Sequence, residues 1–309
     1  MKILITGVHG FVGSNLVDYL AKENVIYGLD IVFPDKEGVV KTYSWEDLDT
    51  GCIPEVDSIV HLAGKAHDTK NQDDAEAYFK VNTGLTQKIF DYYLTKERIK
   101  KFVFFSTAKA VADKVDSVLT EDVVPSPVGP YGESKIAAEK YIINHHSPEK
   151  QYYIFRPCMI HGPGNKGNLN LLYSVVKKGI PWPLGAFENR RTFTSIGNIC
   201  FAVDGVLTKD VPSGVYNMGD DEALSTNELI EEICKSTGKK ARIWKLPKGM
   251  MTGMAKIGGW LHLPLDTERL RKLTENYVSS NEKIKKALRI TSMPVDARTG
   301  LKVTLESFK

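Results

Sequence analysis

Through the first half of the chain, short apolar runs alternate with stretches in which apolar residues recur every three or four positions. Lys2 to Ile5, Val25 to Leu29, Asp57 to Leu62, Lys101 to Phe105 and Tyr152 to Phe155 read as strands buried on both faces. Phe11 to Lys22, Asp74 to Lys96 and Tyr131 to His145 carry the period of amphipathic helices. The first and third begin directly after turn chemistry, at Gly7-Val8-His9-Gly10 and Pro127-Val128-Gly129-Pro130. Such alternation predicts an α/β protein with a doubly wound parallel sheet covered by helices on both faces. After Gly162-Pro163-Gly164 the elements become shorter and less regular, with Pro and Gly clusters at Gly179 to Gly185, Pro212 to Gly214 and Gly258 to Pro264. The expected division is a first domain over residues 1–165 and a smaller C-terminal lobe over 166–309, some of whose segments return to the first domain.

Composition narrows the class. The 309 residues, 42% hydrophobic and 26% charged, suffice for a sizeable core and exclude a disordered or collagen-like chain. Apolar stretches break off well short of the ~20 residues of a bilayer crossing, so no membrane span is expected. Met1 to Ile5 resembles the opening of a signal peptide but runs straight into Thr6-Gly7 without a cleavage site. Cys52, Cys158, Cys200 and Cys234 lie far apart with no CxxC pair, which argues against a metal site or a disulfide framework and for a cytoplasmic enzyme. A net charge of +3 is too small to imply nucleic acid.

Three groups of residues carry chemistry. Gly7, Gly10 and Gly13, with Phe11 and Val12 between the last two, follow a strand and open a helix, where glycines let the backbone approach a pyrophosphate. By chance alone such a series is common; its position after the first strand and the acid Asp30 at the end of the second make it a dinucleotide signal. Asp30 suits the adenine ribose hydroxyls, and Ile31-Val32-Phe33 offers no arginine for a 2′-phosphate, so NAD is expected over NADP. Leu62, Ala63 and Gly64 place small residues at the end of the third main strand, where backbone passes close to a ligand. Tyr131 and Lys135 form a YxxxK pair on one helical face, about a turn apart. Tyr92 with Lys96 and Tyr173 with Lys177 repeat the spacing, but only Tyr131 opens a helix after a strand ending in Ser106-Thr107. A free phenol ionises near pH ~10, so a tyrosine base needs a nearby positive charge such as Lys135. Thr107 would orient the reacting hydroxyl.

Together these residues resemble the extended short-chain dehydrogenase/reductase superfamily, specifically its NAD-dependent epimerases and dehydratases of nucleotide sugars. The resemblance rests on TGVHGFVGSNL at Thr6 to Leu16, HLAG at His61 to Gly64, FKVN ending at Asn82, FFST at Phe104 to Thr107, PYGESK at Pro130 to Lys135 and FRPCMIHGPG at Phe155 to Gly164. It implies a Rossmann domain holding NAD, a substrate lobe, and a catalytic triad of Thr107, Tyr131 and Lys135, with Asn82 and Pro157 along the nicotinamide side. Asn168, Leu184 within Pro183-Leu184-Gly185, and Arg191 within Asn189 to Phe193 look like segments that hold the nucleotide diphosphate, Arg191 supplying the cation. The chain departs from many members at Val111-Ala112-Asp113 and Met159, so the resemblance carries no sugar contact to those places. Dehydratases carry an acidic pair after the catalytic threonine; here Ala108-Lys109 follows, and the general acid of dehydration is missing.

The expected reaction is NAD-dependent epimerisation by hydride transfer at carbon 4 of a UDP-sugar. Leu184 to Arg191 looks similar to enzymes of bacterial surface-polysaccharide pathways, where 4-ketoreductases also occur, and sequence does not separate the two. A non-catalytic dinucleotide-sensing protein is the reading of another class. The resemblance further implies a homodimer built from the helical stretches Asp74 to Lys96 and Tyr131 to His145, for which Val81, Leu85, Ile89 and Tyr92 fall at helical spacing.

Overall fold

The computed structural model describes residues 1–65, 75–165, 167–260 and 266–309, with the backbone alone at 168, 259 and 260. Asp74, the expected start of the second helix, and part of the Gly258 to Pro264 cluster lie outside the described residues. In chain order the elements are β1 (Lys2–Thr6), α1 (Phe11–Leu20), β2 (Val25–Leu29), β3 (Val39–Tyr43), α2 (Trp45–Asp49), β4 (Ser58–His61) and α3 (Ala75–Tyr78). A π-helical segment, Phe79–Gly84, joins α3 to α4 (Leu85–Thr95), and β5 (Lys101–Phe105), α5 (Pro130–His145) and β6 (Gln151–Pro157) follow. The remainder comprises β7 (Met159–His161), α6 (Asn168–Lys177), β8 (Phe193–Ser195), α7 (Ile196–Thr208), β9 (Gly214–Met218), α8 (Thr226–Ser236), α9 (Lys248–Trp260), α10 (Thr267–Thr274), α11 (Glu282–Leu288) and α12 (Ala297–Glu306).

Seven strands form one parallel sheet in the order β3-β2-β1-β4-β5-β6-β9, and β7 pairs with β8 in a separate parallel ribbon. The sheet order reverses between β1 and β4, which opens a crevice at the carboxyl ends of those strands. Strands β1, β4 and β5 read as near-continuous apolar runs because helices cover both faces of the sheet. On one face Leu16, Val17 and Leu20 of α1 pack with Ile199, Val203 and Val206 of α7 over Ile3, Ile5 and Val60. On the other, Ile89, Phe90 and Tyr93 of α4 meet Ala138 and Ile142 of α5 over Leu4, Ile59 and Phe102. A separate core in the C-terminal part gathers Leu169, Trp182, Leu184, Leu229, Met251 and Leu301.

Two strands of the main sheet escaped the sequence pattern, as did both strands of the β7–β8 ribbon. In β3 the run is short and only Tyr43 is buried, so no alternation marks it. β9 comes from the C-terminal half yet extends the main sheet beside β6, a pairing that no local signal announces.

Candidate active site

The glycine turn is built by close approach. After β1 the chain turns at Gly7 with φ of 68°, a left-handed conformation natural to glycine. A β-carbon on Gly7 would stand 2.9 Å from the main-chain nitrogen of Ala63, and one on Gly13 would collide with the Gly7 and Val8 carbonyls. The turn therefore lies directly over the Leu62–Gly64 strand end. Gly10 caps α1 without offering a side chain, which leaves the first N–H groups of the helix for an anion. Asp30, half-buried after β2, accepts hydrogen bonds from the His9 N–H (3.1 Å) and the Ile31 N–H (2.7 Å). Its carboxylate is thus tied to the glycine turn. Ile31, Val32 and Phe33 beyond it are exposed.

A buried polar chain sets the crevice floor. The Thr86 hydroxyl donates to the Asn82 carbonyl at 2.6 Å, so at 2.9 Å it must accept from His61 Nε2. Nδ1 of His61 is then bare and accepts from the Thr6 hydroxyl at 2.6 Å, while the Thr6 oxygen accepts the N–H groups of Leu62 (3.2 Å) and Ala63 (3.0 Å). Burial, aided by the Lys135 charge, pushes the His61 pKa down to about 3 and keeps the ring neutral. Asn82, wholly buried in the π-helical segment, accepts the Lys65 N–H (2.8 Å) and donates to the Lys65 carbonyl (3.2 Å) and Ser134 Oγ (3.0 Å). Both amide hydrogens are thereby used within the protein, and Asn82 fixes the loop beside the cleft while its side chain stays behind it. The extra residue of a π turn is what swings it inward.

Thr107, Tyr131 and Lys135 meet at the end of β5. Thr107 follows that strand as the cap of a short turn over Ala108–Ala110. Gly129, with φ of 83°, and Pro130 at the first helical position start α5 so that Tyr131 falls in its first turn. The Tyr131 phenol and the Thr107 side chain line the same cleft. Desolvation raises the phenol's pKa above the ordinary value, and the nearby Thr107 hydroxyl works against that rise. Lys135 donates from Nζ to the Phe105 carbonyl at 2.9 Å and lies 4.9 Å from the Phe104 ring centroid. Burial pushes its pKa down to about 8, partly offset by Glu139. Gly64 is needed beside it, since a β-carbon there would sit 3.1 Å from Nζ and 2.9 Å from Asn82 Oδ1. Val12, Leu62, Lys65, Pro157, Cys158 and Ile160 complete the lining of this cleft.

Beneath the cleft, Glu139 is fully buried and accepts a short hydrogen bond from Ser106 Oγ, and Arg156 Nε approaches its two oxygens at 3.0 and 3.1 Å. This clamp ties α5, which carries Tyr131 and Lys135, to β6, which carries Pro157.

The glycine cradle, Asp30 and the open cleft beside Tyr131 fit a dinucleotide. A sequence model of the family described as "NAD dependent epimerase/dehydratase family" matches residues 3–219. The chain belongs to the NAD-dependent epimerase/dehydratase family. This epimerase/dehydratase family member is 30% identical over 268 residues to a UDP-glucose 4-epimerase of Vibrio cholerae, covering 80% of this chain and 78% of the relative. It is 28% identical over 295 residues to an N-acetyl-alpha-D-glucosaminyl-diphospho-ditrans,octacis-undecaprenol 4-epimerase of Escherichia coli, covering 92% and 85%. The fold matches that of a UDP-glucuronic acid 4-epimerase from Bacillus cereus solved in complex with NAD, with a TM-score of 0.75, 21% identity and coverage of 100% and 98%. The chain is an NAD-dependent enzyme of this epimerase and reductase type.

The second-lobe candidates are more dispersed. Arg191 is half-buried and its guanidinium donates to the Lys272 carbonyl; burial pushes its pKa down, and the Glu275 carboxylate works against that. Leu184 is only 2% exposed, its side chain in the C-terminal core. The side chain of Asn168 lies outside the described residues. Val111 is fully buried with Leu119 and Tyr277, so that departure from relatives is packed away from the cleft. Lys109, where dehydratases have an acid, pairs with Asp113 at 2.8 Å, and Arg271 of α10 reaches the same carboxylate at 3.3 Å. Sequence reasoning did not single out Cys158 or Tyr78, whose ring meets that of Tyr131 edge-on at 6.2 Å. Only the cleft position marks Cys158, and Tyr78 sits four residues before Asn82 with no distinguishing pattern.

Proposed function

We propose that this enzyme is an NAD-dependent 4-epimerase of a UDP-sugar. The observation that carries the reading is the joining of Thr107, Tyr131 and Lys135 at a cleft that Val12, Leu62 and Gly64 also line. Gly7, Gly10, Phe11, Val12, Gly13, Asp30 and Leu62 to Gly64 would hold NAD, which when bound supplies the hydride acceptor and donor at carbon 4. Tyr131 takes the proton of the sugar hydroxyl and returns it to the same oxygen when hydride comes back to the opposite face of carbon 4. Lys135 stabilises the phenolate by its charge, and the Thr107 hydroxyl, in the same cleft as the phenol, positions the reacting oxygen. Ala108-Lys109 offers no general acid for elimination of water, which supports epimerisation over dehydration. Arg191 and the segment around Leu184 and Asn168 are assigned to the diphosphate, and residues 166–309 in the main to the substrate lobe. The relative acting on a lipid-linked sugar supports a place in surface-polysaccharide supply, on the cytoplasmic side. Val81, Leu85 and Tyr92 remain half-exposed and suit the helix pairing of a homodimer, whereas Ile89 faces the sheet and takes no part in it.

The same residues would serve a 4-ketoreductase, in which Tyr131 gives its proton to the keto oxygen. Incubation with UDP-glucose, UDP-galactose and their N-acetyl forms tests the reading, with products separated by chromatography. The expected result is interconversion of a 4-epimer pair without net consumption of reduced cofactor. Conversion that needs stoichiometric NADH assigns the reductase, and no turnover of any 4-epimer pair or 4-keto sugar overturns the enzyme reading for these substrates. In the active case Tyr131→Phe lowers turnover about 10²–10⁴-fold while cofactor binding persists.

A further inference from the structure

One face of the C-terminal part carries features that the reaction does not use. Between Glu232 and Asp266 the sequence has no carboxylate and holds six lysines and one arginine, in a chain whose net charge is only +3. Lys235 pairs with Glu232 at 2.8 Å, and Lys239 caps the carbonyl of Lys177 at the end of α6. The others, Lys240, Arg242, Lys245, Lys248 and Lys256, are exposed. Among the described residues, no carboxylate is placed to neutralise them.

Helix α9 runs through this segment with two apolar stripes. Met251 and Ala255 are buried in the C-terminal core. Met250, Met254 and Ile257, at the spacing of one helical face and about 100° around from the first stripe, are 45%, 52% and 58% exposed. Trp244, 54% exposed, lies in the strand-like segment that pairs with Trp182. Ile180, also 54% exposed, is two residues before that pairing.

We propose that this face, centred on the outer stripe of α9 and on Trp244, docks on an anionic membrane surface. An amphipathic helix with methionine, isoleucine and a neighbouring tryptophan outward, flanked by unneutralised lysines, matches the interfacial mode in which apolar groups enter the acyl boundary and cations meet lipid phosphates. A second copy on the same face would bring these five exposed cations against another five, so self-association is disfavoured by like charge. The face adjoins the segment from Leu184 to Phe187: Lys245 bridges to Leu184, and Lys248 Nζ lies 5.7 Å from the Phe187 ring centroid. Docking would hold the segment from Leu184 to Phe187 close to the lipid headgroups.

Co-sedimentation of the full chain with phosphatidylcholine vesicles, with and without about one-third phosphatidylglycerol, tests the proposal. Binding is expected to the anionic vesicles only, and to weaken when sodium chloride is raised. Lys245→Gln and Lys248→Gln should each lower partitioning about fivefold, and Met254→Glu with Ile257→Glu should abolish it. Because all four side chains are exposed, unchanged thermal melting is expected to show that the variants fold; the salt series on the unaltered chain tests the charge component even if one of them does not. Equal binding to neutral and anionic vesicles, absence of binding, or binding untouched by the glutamate substitutions would overturn the proposal. So would an oligomer that the glutamate pair dissociates in a chain that ignores vesicles, since a second copy would then be the occupant.

Discussion

Replacing Lys135 with methionine removes a buried ammonium whose pKa burial has pushed down to about 8, against about 10.4 in an unfolded chain. Between pH 7 and 9 the unfolded lysine keeps its proton while the folded lysine progressively loses it. The unfolded state then binds more protons, so the stability of the unaltered protein rises with pH across this window. The penalty is fully present below the folded value of about 8 and disappears above the unfolded value. Its full size is on the order of 3 kcal/mol, of which about 1 kcal/mol is recovered between pH 7 and 9. Tyr131, its pKa raised above the ordinary phenol value, stays protonated in both states over this range and cancels. The variant also loses the bond from Nζ to the Phe105 carbonyl, so absolute stabilities are not the readout. Urea unfolding of both cofactor-free proteins at pH 7 and pH 9 gives the difference of differences directly. The unaltered protein should gain about 1 kcal/mol relative to Lys135→Met as pH rises. Parallel pH dependences, or a relative loss, would refute the burial of a depressed lysine beside Tyr131.

Two further substitutions test the supports of the site. Glu139→Ala leaves Arg156 charged and unpaired in the interior, and should cost about 3–5 kcal/mol in urea unfolding, the range found when one partner of a buried ion pair is removed; a loss below about 1 kcal/mol would mean the clamp does not bear on stability. Asp30→Ala removes the carboxylate that would repel a 2′-phosphate, so fluorescence titration should show NADH preferred over NADPH in the unaltered protein and that preference reduced in the variant. Equal or tighter NADPH binding by the unaltered protein would overturn the role given to Asp30.

What the sequence determined is what depends on local pattern. Continuous apolar runs such as Lys2–Thr6 and Lys101–Phe105 announce strands covered on both faces, and Gly7, Gly10 and Gly13 announce a turn where no side chain fits, because both signals reside in a few consecutive residues. The family motifs around Tyr131 and Lys135 were legible for the same reason. Tertiary structure alone decided the rest. The addition of β9 to β6 joins segments some sixty residues apart, and its short run differs little from others in the same half. The neutral tautomer of His61 follows from Thr6 and Thr86, which lie on either side of it only in the fold. The Glu139–Arg156 clamp is invisible in sequence because a charge on a helix reads as solvent-facing until the partner strand buries it. Asn82 could be picked out by its motif, but only the π turn and the two hydrogen bonds donated by its amide put it behind the cleft wall. Periodicity reports which face of an element is apolar, whereas the choice of partner for each face depends on contacts distant in the chain.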